Sequence, residues 1–242
     1  LVHCYLPARS YFLCFGVVNK NKMVVFLGSR GGADTANDQA LYYAVHDGTA
    51  WSMPKIVAND GTVDAAPEVL RKDGKVIVAW ADGNRAFTDT DTSVQKLNAM
   101  GISLAVYDIA AKTMGEEVTL VDDNYFNLAP QINMDGTNIY VSYMKRDLAT
   151  VEKETDLLDV EKVYSAMAYK TYDYQTETMQ DEETFVTICH DTLSDPLVFD
   201  HHSATAEVNG DTYMISTYTI DEDRDLYSDA DRELFISIYN IT

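Results

Sequence analysis

Short apolar runs alternate with polar turns along the whole chain, and the spacing repeats. Four times a short strand-like run is followed by a turn rich in Gly, Asp, Asn or Lys and then by a second, more apolar run. The second runs begin at Lys22, Lys75, Asn138 and Thr212, and they read KMVVFLGSR, KVIVAWADGNR, NIYVSYMKR and TYMISTYTIDEDR. Two β-prone runs separated by such a turn predict a β-hairpin.

Each predicted hairpin belongs to a larger unit. A third strand-like run follows every hairpin, as in ISLAVYDIA, and a fourth follows in the first three copies, as in EEVTLVDD. Four-stranded units with polar turns and no helical periodicity predict an all-β fold, a β-propeller with four-stranded blades. The repeats cover roughly residues 10–60, 61–124, 125–195 and 196–242.

The ends of the chain suggest how the units close. The last copy is one strand short, and residues 1–9 hold one strand that belongs to no hairpin. We therefore expect a single domain over residues 1–242 with four blades, in which the N-terminal strand completes the last blade. A segment of a larger ring would show the same four copies.

Composition narrows the class of protein. The chain is 46% hydrophobic, which supports a sizeable core, and it carries 39 acidic against 18 basic residues for a net charge of -21. This balance argues against nucleic acid and anionic membrane surfaces as partners, because both need clustered Lys and Arg. It favours a secreted or cell-surface protein, or one that holds hard cations such as Ca²⁺. No apolar run reaches the roughly 20 residues of a membrane-spanning helix.

One turn carries a family resemblance. The stretch YYAVHDGTAWSMPKIVAN contains Asp47, Gly48 and Trp51, with Ala44 where the Asp box has Ser. It resembles the blades of sialidase-like propellers of the BNR or Asp-box type, which occur in bacterial extracellular proteins, most clearly over residues 40–145. The resemblance implies a propeller and a glycan-related role, either binding or hydrolysis. The box itself is a structural turn without a catalytic part.

Candidate ligand-binding residues lie in the loops that follow the second strand of each unit, because such loops converge on one face of a propeller. One Arg follows each second strand, and a ring of guanidinium groups could clamp a carboxylate. The alternative is that each Arg pairs with a nearby Asp. The four residues are Arg30, Arg85, Arg146 and Arg224.

Carboxylates near strand ends are candidates for hydrolysis. A glycosidase needs two opposed carboxyl groups, and Asp64, Asp82 and Asp200 are placed to supply them, with His201 as a further ligand-binding candidate. A separate run, Asp221, Asp223 and Asp225, has the alternate spacing of Ca²⁺ oxygen ligands. Its alternative is a solvated acidic loop.

These observations favour an extracellular propeller binding module that recognises a glycan or a protein through its acidic loop face. The first alternative is a sialidase-like glycoside hydrolase acting on a carboxylated or other glycan. The second is a structural interaction domain within a larger surface protein or assembly.

Overall fold

The computed structural model describes residues 10–18, 21–29, 37, 39–149, 151, 164–188, 197–221 and 232–242. The described residues form seventeen strands and one short helix. In chain order the elements are β1 (Ser10–Val18), β2 (Asn21–Ser29), β3 (Gln39–His46), β4 (Lys55–Ala58), β5 (Asp64–Lys72), β6 (Lys75–Gly83), α1 (Ser93–Leu97), β7 (Met100–Asp108), β8 (Thr113–Met114), β9 (Val118–Val121), β10 (Phe126–Asp135), β11 (Asn138–Asp147), β12 (Tyr164–Asp173), β13 (Thr178–Met179), β14 (Glu183–Ile188), β15 (Leu197–Val208), β16 (Asp211–Asp221) and β17 (Arg232–Asn240).

The strands form four separate antiparallel sheets, one for each predicted repeat. Sheet 1 has the order β1-β2-β3-β4, and sheet 4 has the order β15-β16-β17. Sheets 2 and 3 have the orders β5-β6-β7-β8 and β10-β11-β12-β13, and their last edges are extended by β9 on β7 and by β14 on β12. This succession of up-and-down strands is the blade unit of β-propellers. The predicted all-β, propeller-type class is therefore confirmed, while the number of blades and the closure by residues 1–9, which lie outside the described residues, stay predictions.

The second strands of sheets 2 and 3 are deeply buried. In β6 every residue from Val76 to Gly83 is buried, and in β11 every residue from Ile139 to Met144 is buried. A strand covered on both faces loses the alternation of apolar and polar residues, which explains why these two runs are mostly apolar.

Two local features fix the register of the hairpins. The Asp73-Gly74 and Asn209-Gly210 pairs both have positive φ, at 47° and 78° and at 56° and 91°, as a two-residue type I′ turn requires. In β5 and β10 a β-bulge coincides with an Ala-Pro step, where Ala66 and Ala129 have φ of 48° and 52°. The two bulges lie at equivalent positions, so the residues of β5 and β10 can be aligned from them.

The Asp-box-like turn lies between β3 and β4, as predicted for the third and fourth strands of one unit. Asp47 Oδ1 accepts hydrogen bonds from the backbone N–H groups of Thr49 at 2.8 Å and Ala50 at 2.9 Å. These bonds, with the one from the Thr49 hydroxyl, lower the pKa of Asp47 to about 2. The carboxylate thus closes the turn, which is a structural role.

The chain divides into two compact units. The first contains Leu1–Asp91 and Met100–Asp122 with sheets 1 and 2, and the second contains Thr92–Ala99 and Asp123–Thr242 with sheets 3 and 4. Helix α1 interrupts the second repeat but packs in the second unit, where Val94 and Leu97 contact the Leu148 and Val151 cluster. Thr92 caps the helix through a capping box with Gln95. No helix in the described part of the chain is long and apolar enough to span a membrane.

Candidate functional site

Four carboxyl groups meet at one end of sheet 2, and we call them the carboxyl cluster: Asp60, Asp64, Asp82 and Glu117. Asp64 begins β5 and lies directly opposite Asp82 in β6. Glu117 immediately precedes β9, the strand that extends the far edge of the same sheet. The sheet register therefore brings together side chains from three separate strand ends.

Asp64 is the most enclosed member of the carboxyl cluster, with 1% of its surface exposed. The Trp80 indole Nε1 donates a 2.9 Å hydrogen bond to its Oδ1. Its Oδ2 is buried and has no hydrogen-bond partner. Burial, together with the neighbouring carboxylates, raises the pKa of Asp64 to about 8.

Asp82 lies at the centre of the carboxyl cluster and is 5% exposed. The Ser103 hydroxyl donates to its Oδ2 at 2.6 Å, and the Thr62 hydroxyl lies 3.3 Å from its Oδ1. Glu117 is half-buried and hydrogen-bonded to Asp82, and burial with the charge of Asp82 raises the pKa of Glu117 to about 7. In the favoured arrangement Glu117 is protonated and donates a hydrogen bond to the Asp82 carboxylate.

Asp60 connects the carboxyl cluster to solvent. Its side chain is exposed, and its Oδ1 accepts from the Thr62 backbone N–H at 2.9 Å and the Thr62 hydroxyl at 2.7 Å. These two bonds close a turn in the loop before β5. The cluster can accept hydrogen bonds through its carboxylates and donate one from a protonated carboxyl group.

The same strand positions recur in sheet 3. Asn127 lies opposite Lys145 two residues before the Ala-Pro bulge, just as Asp64 lies opposite Asp82. In both sheets a Glu directly precedes the strand that pairs with the third strand after a register shift. The equivalent pairs are Asp60 with Asp123, Asp64 with Asn127, Trp80 with Tyr143, Asp82 with Lys145, and Glu117 with Glu182.

In sheet 3 the central residue is a cation, and we call this group the ammonium cluster: Asp123, Asn127, Lys145 and Glu182. Lys145 Nζ lies 2.8 Å from Asp123 Oδ2 and 2.7 Å from Glu182 Oε1, and 4.4 Å from the centre of the Tyr125 ring. Burial opposes the charge of Lys145, but the bonds to the two carboxylates outweigh it and its pKa is raised. The positive charge of Lys145 is therefore balanced by carboxylates of the same cluster.

Two of the four arginines predicted to clamp a carboxylate lie in the described part of the chain, and they occupy unlike positions. Arg85 lies in the loop after β6, is exposed, and makes two hydrogen bonds to Asp91 at 2.8 and 3.1 Å. Arg146 lies within β11 opposite Phe126, and burial lowers its guanidinium pKa. By register Arg146 corresponds to Gly83, so it is not the counterpart of Arg85. Arg30 and Arg224 lie outside the described residues.

His201 is part of a buried polar network in the second unit. It is 3% exposed, its Nε2 lies 3.1 Å from the Ser142 hydroxyl, and Ser142 and Ser203 share a 2.6 Å hydrogen bond. Burial lowers the pKa of His201 to about 4, so the ring is neutral at pH 7. The network links β11 to β15, and the neighbouring His202 is exposed. As a ligand-binding residue His201 stays a prediction.

The predicted Ca²⁺ loop falls mostly outside the described residues. Asp221 ends β16, and Asp223 and Asp225 lie in the part that the structure does not describe. The side chain of Asp200 is likewise outside the described set. Among the described residues no group of three or more His, Cys, Asp or Glu is arranged to hold a metal ion. The Ca²⁺ site therefore stays a prediction.

Sequence reasoning selected Asp64 and Asp82 but missed Glu117 and Lys145. A signal for the clusters was present, because an Asp stands four residues before the equivalent positions Asp64 and Asn127. Recognising it would have required the strand register, which brings Glu117 beside Asp82 from a distant part of the chain.

Comparison with known proteins gives weak similarities only. No family model matches the chain, and no curated protein matches it. Among solved structures, a Penicillium chrysogenum alpha-L-arabinanase complexed with arabinobiose is 12% identical with a TM-score of 0.47, over 85% of this chain and 57% of that one. A Trypanosoma rangeli sialidase is 12% identical with a TM-score of 0.45, over 89% of this chain and 36% of that one.

A family 117 glycoside hydrolase from Zobellia galactanivorans is similar to the same degree, at 12% identity and a TM-score of 0.44 over 94% of this chain and 68% of that one. The chain thus spans 57% of the length of the arabinanase and about a third of the sialidase. Similarities of this strength assign no role to any residue of the chain. The Asp-box repeat family stays a prediction.

Proposed function

We propose that this chain is a carbohydrate-binding domain whose ligand contacts the carboxyl cluster of sheet 2. The observation that carries the proposal is the convergence of Asp64, Asp82 and Glu117 with Asp60 at the solvent side. Sugar hydroxyls both donate and accept hydrogen bonds, and they are matched by a group that offers carboxylate acceptors and a protonated carboxyl donor together. A secreted or cell-surface location, expected from the acidic composition, is compatible with this ligand class.

A glycan array, followed by calorimetry on each hit, tests the proposal. We expect selective binding by the wild type and at least about ten-fold weaker binding by Asp82→Asn, because that change removes the negative charge and replaces one carboxylate acceptor with an amide donor. Asp173→Asn is the matched control, since Asp173 ends β12 in sheet 3, where its carboxylate accepts hydrogen bonds from Thr137, Gln175 and Thr176 and contacts no member of the carboxyl cluster. Full binding by Asp82→Asn, or a silent array, would contradict the proposal and leave the protein-binding and structural alternatives.

Hydrolysis is the second candidate function, and one observation favours it. Glu117 has a pKa of about 7 and donates its proton towards Asp82, which is the state that a general acid needs near neutral pH. If the cluster cleaves glycosidic bonds, activity should fall as the pH rises through about 7, because the acid loses its proton.

Bound glycans should therefore be incubated with the wild type and with Glu117→Gln, and the products analysed chromatographically. Cleavage that is lost in Glu117→Gln would favour the hydrolase. Binding without cleavage at any pH between 5 and 8 would reject the hydrolase and favour the binding module.

A further inference from the structure

We infer that the carboxyl cluster takes the primary ammonium group of its ligand, so that the glycan it prefers carries an unsubstituted amino sugar. The inference rests on the proposed carbohydrate-binding function and names the substrate class of that site. It follows from two features of the chain: an internal ammonium group at the equivalent position of sheet 3, and an unpartnered buried carboxylate oxygen in sheet 2.

The first feature is Lys145. Its ammonium group lies between Asp123 and Glu182, at 2.8 and 2.7 Å, and only 15% of its side chain is exposed. The equivalent acids of sheet 2, Asp60 and Glu117, are retained, while Asp82 stands at the lysine position. Sheet 2 thus keeps the carboxylates that surround an ammonium group and lacks the side chain that supplies it.

The second feature is Asp64, which is 1% exposed and whose Oδ2 has no hydrogen-bond partner. An unpaired buried carboxylate oxygen is costly unless a donor reaches it. None of the ion pairs formed by the described residues includes a member of the carboxyl cluster. Burial keeps a proton on Asp64 while the site is empty, since its pKa is raised to about 8. A donor with positive charge that reached Oδ2 would displace this proton to solvent and stabilise the carboxylate.

The chemistry favours an amine over a divalent metal. An ammonium group offers three donors, which can be accepted by Asp64 Oδ2, by Asp82 and by either Glu117 or Asp60. The ammonium cluster holds an amine at the same strand positions, where Lys145 Nζ lies 2.8 and 2.7 Å from two carboxylates. The remaining carboxylate oxygens can accept hydrogen bonds from neighbouring sugar hydroxyls.

The test compares two ligands that differ only in the amine. Glucosamine tetramer and its fully N-acetylated counterpart are titrated into the full chain at 150 mM salt, pH 6, where the amine is charged. We expect the wild type to bind the amine form at least about ten-fold more tightly. Asp82→Lys should remove this preference, because its own ammonium group restores the arrangement of sheet 3.

Two further variants serve as controls for net charge and for folding. Asp89→Lys changes the net charge by the same amount in an exposed loop, so retained preference there excludes general attraction to an acidic protein. Asp82→Asn, which conserves shape, should weaken the preference if Asp82→Lys fails to fold. Equal binding of the two tetramers, or an equal loss in Asp89→Lys, overturns the inference and leaves the proposed function standing. Binding of neither tetramer together with a silent array removes the proposed function itself.

Discussion

The carboxyl cluster of sheet 2 and the ammonium cluster of sheet 3 occupy the same strand positions, but their central residues have opposite charges. Both have an acid four residues before the equivalent positions Asp64 and Asn127, and a Glu directly before the strand that extends the sheet edge. They differ at the centre, where sheet 3 has Lys145 and sheet 2 has Asp82. One cluster is a closed ion-pair network and the other is a set of carboxyl groups that must share protons or bind a cation.

The difference extends to the residues around the centre. In sheet 3 the polar partner of the Glu is the Tyr143 hydroxyl, whereas in sheet 2 the equivalent Trp80 donates to Asp64 instead. The comparison shows that the repeated fold determines which side chains lie close together. A change at one position then decides whether the resulting cluster is a structural ion-pair network or can bind a ligand.

The largest expected effect comes from breaking the ammonium cluster. Lys145→Met should lower the free energy of unfolding by about 3 kcal/mol, because removing one partner of a largely buried pair leaves Asp123 and Glu182 without their counterion. Urea unfolding measures the loss, and Lys55→Met at an exposed position is the control. A loss no larger than that of Lys55→Met would show that Lys145 does not hold the cluster together.

A smaller loss of stability is expected from changing the residue that lies opposite the central residue of each cluster on the neighbouring strand. Asp82 lies opposite Gly101, and Lys145 lies opposite Ala166. A Cβ on Gly101 would overlap the Val121 carbonyl oxygen and the Asn84 side chain, so Gly101→Ala should cost about 2 kcal/mol.

The reverse change in sheet 3, Ala166→Gly, should cost only about 0.5–1 kcal/mol through backbone entropy. Thermal unfolding of both variants checks the pair. Equal losses would mean that the two sheets pack alike at this position.

The pH dependence of stability should reveal the unpaired carboxyl groups. Because the folded-state pKa of Asp64 is raised to about 8, the wild type should lose stability as the pH rises from about 4 to 8, since over this range the folded state holds a proton that the unfolded state has released. Asp64→Asn cannot titrate and keeps the Trp80 acceptor, so its curve should be flatter than that of the wild type and lie above it at pH 8.

Asp173→Asn provides the control for this curve. Its backbone and side-chain hydrogen bonds lower the pKa of Asp173, so its contribution is lost only as the pH falls, and the slope between pH 5 and 8 should match that of the wild type. Identical slopes for Asp64→Asn and the wild type would show that Asp64 does not carry the proton.

The smallest effect should come from Arg85. Its pair with Asp91 is exposed, and such pairs contribute little to stability, so Arg85→Ala should leave the unfolding midpoint unchanged. The same variant tests whether this Arg contacts a ligand. Weaker binding of a carboxylated glycan at unchanged stability would support the clamp predicted from the sequence, and unchanged binding would remove Arg85 from it.

The sequence by itself determined the repeating unit of this protein. Hairpins, their Asp-Gly and Asn-Gly turns, and the buried second strands follow from local alternation and from the backbone freedom of the turn residues, which act over a few positions only. Those signals also marked Asp64 and Asp82 as strand-end carboxylates.

The tertiary structure alone decided what those carboxylates meet. Trp80 reaches Asp64 across sixteen residues of sequence, Glu117 reaches Asp82 only after β7 and a register shift, and Arg85 selects Asp91 rather than the nearer Asp89. The helix in the second repeat likewise packs with sheet 3 and its following loop. Such contacts depend on strand register and burial, and these are properties of the folded sheets that no single segment encodes.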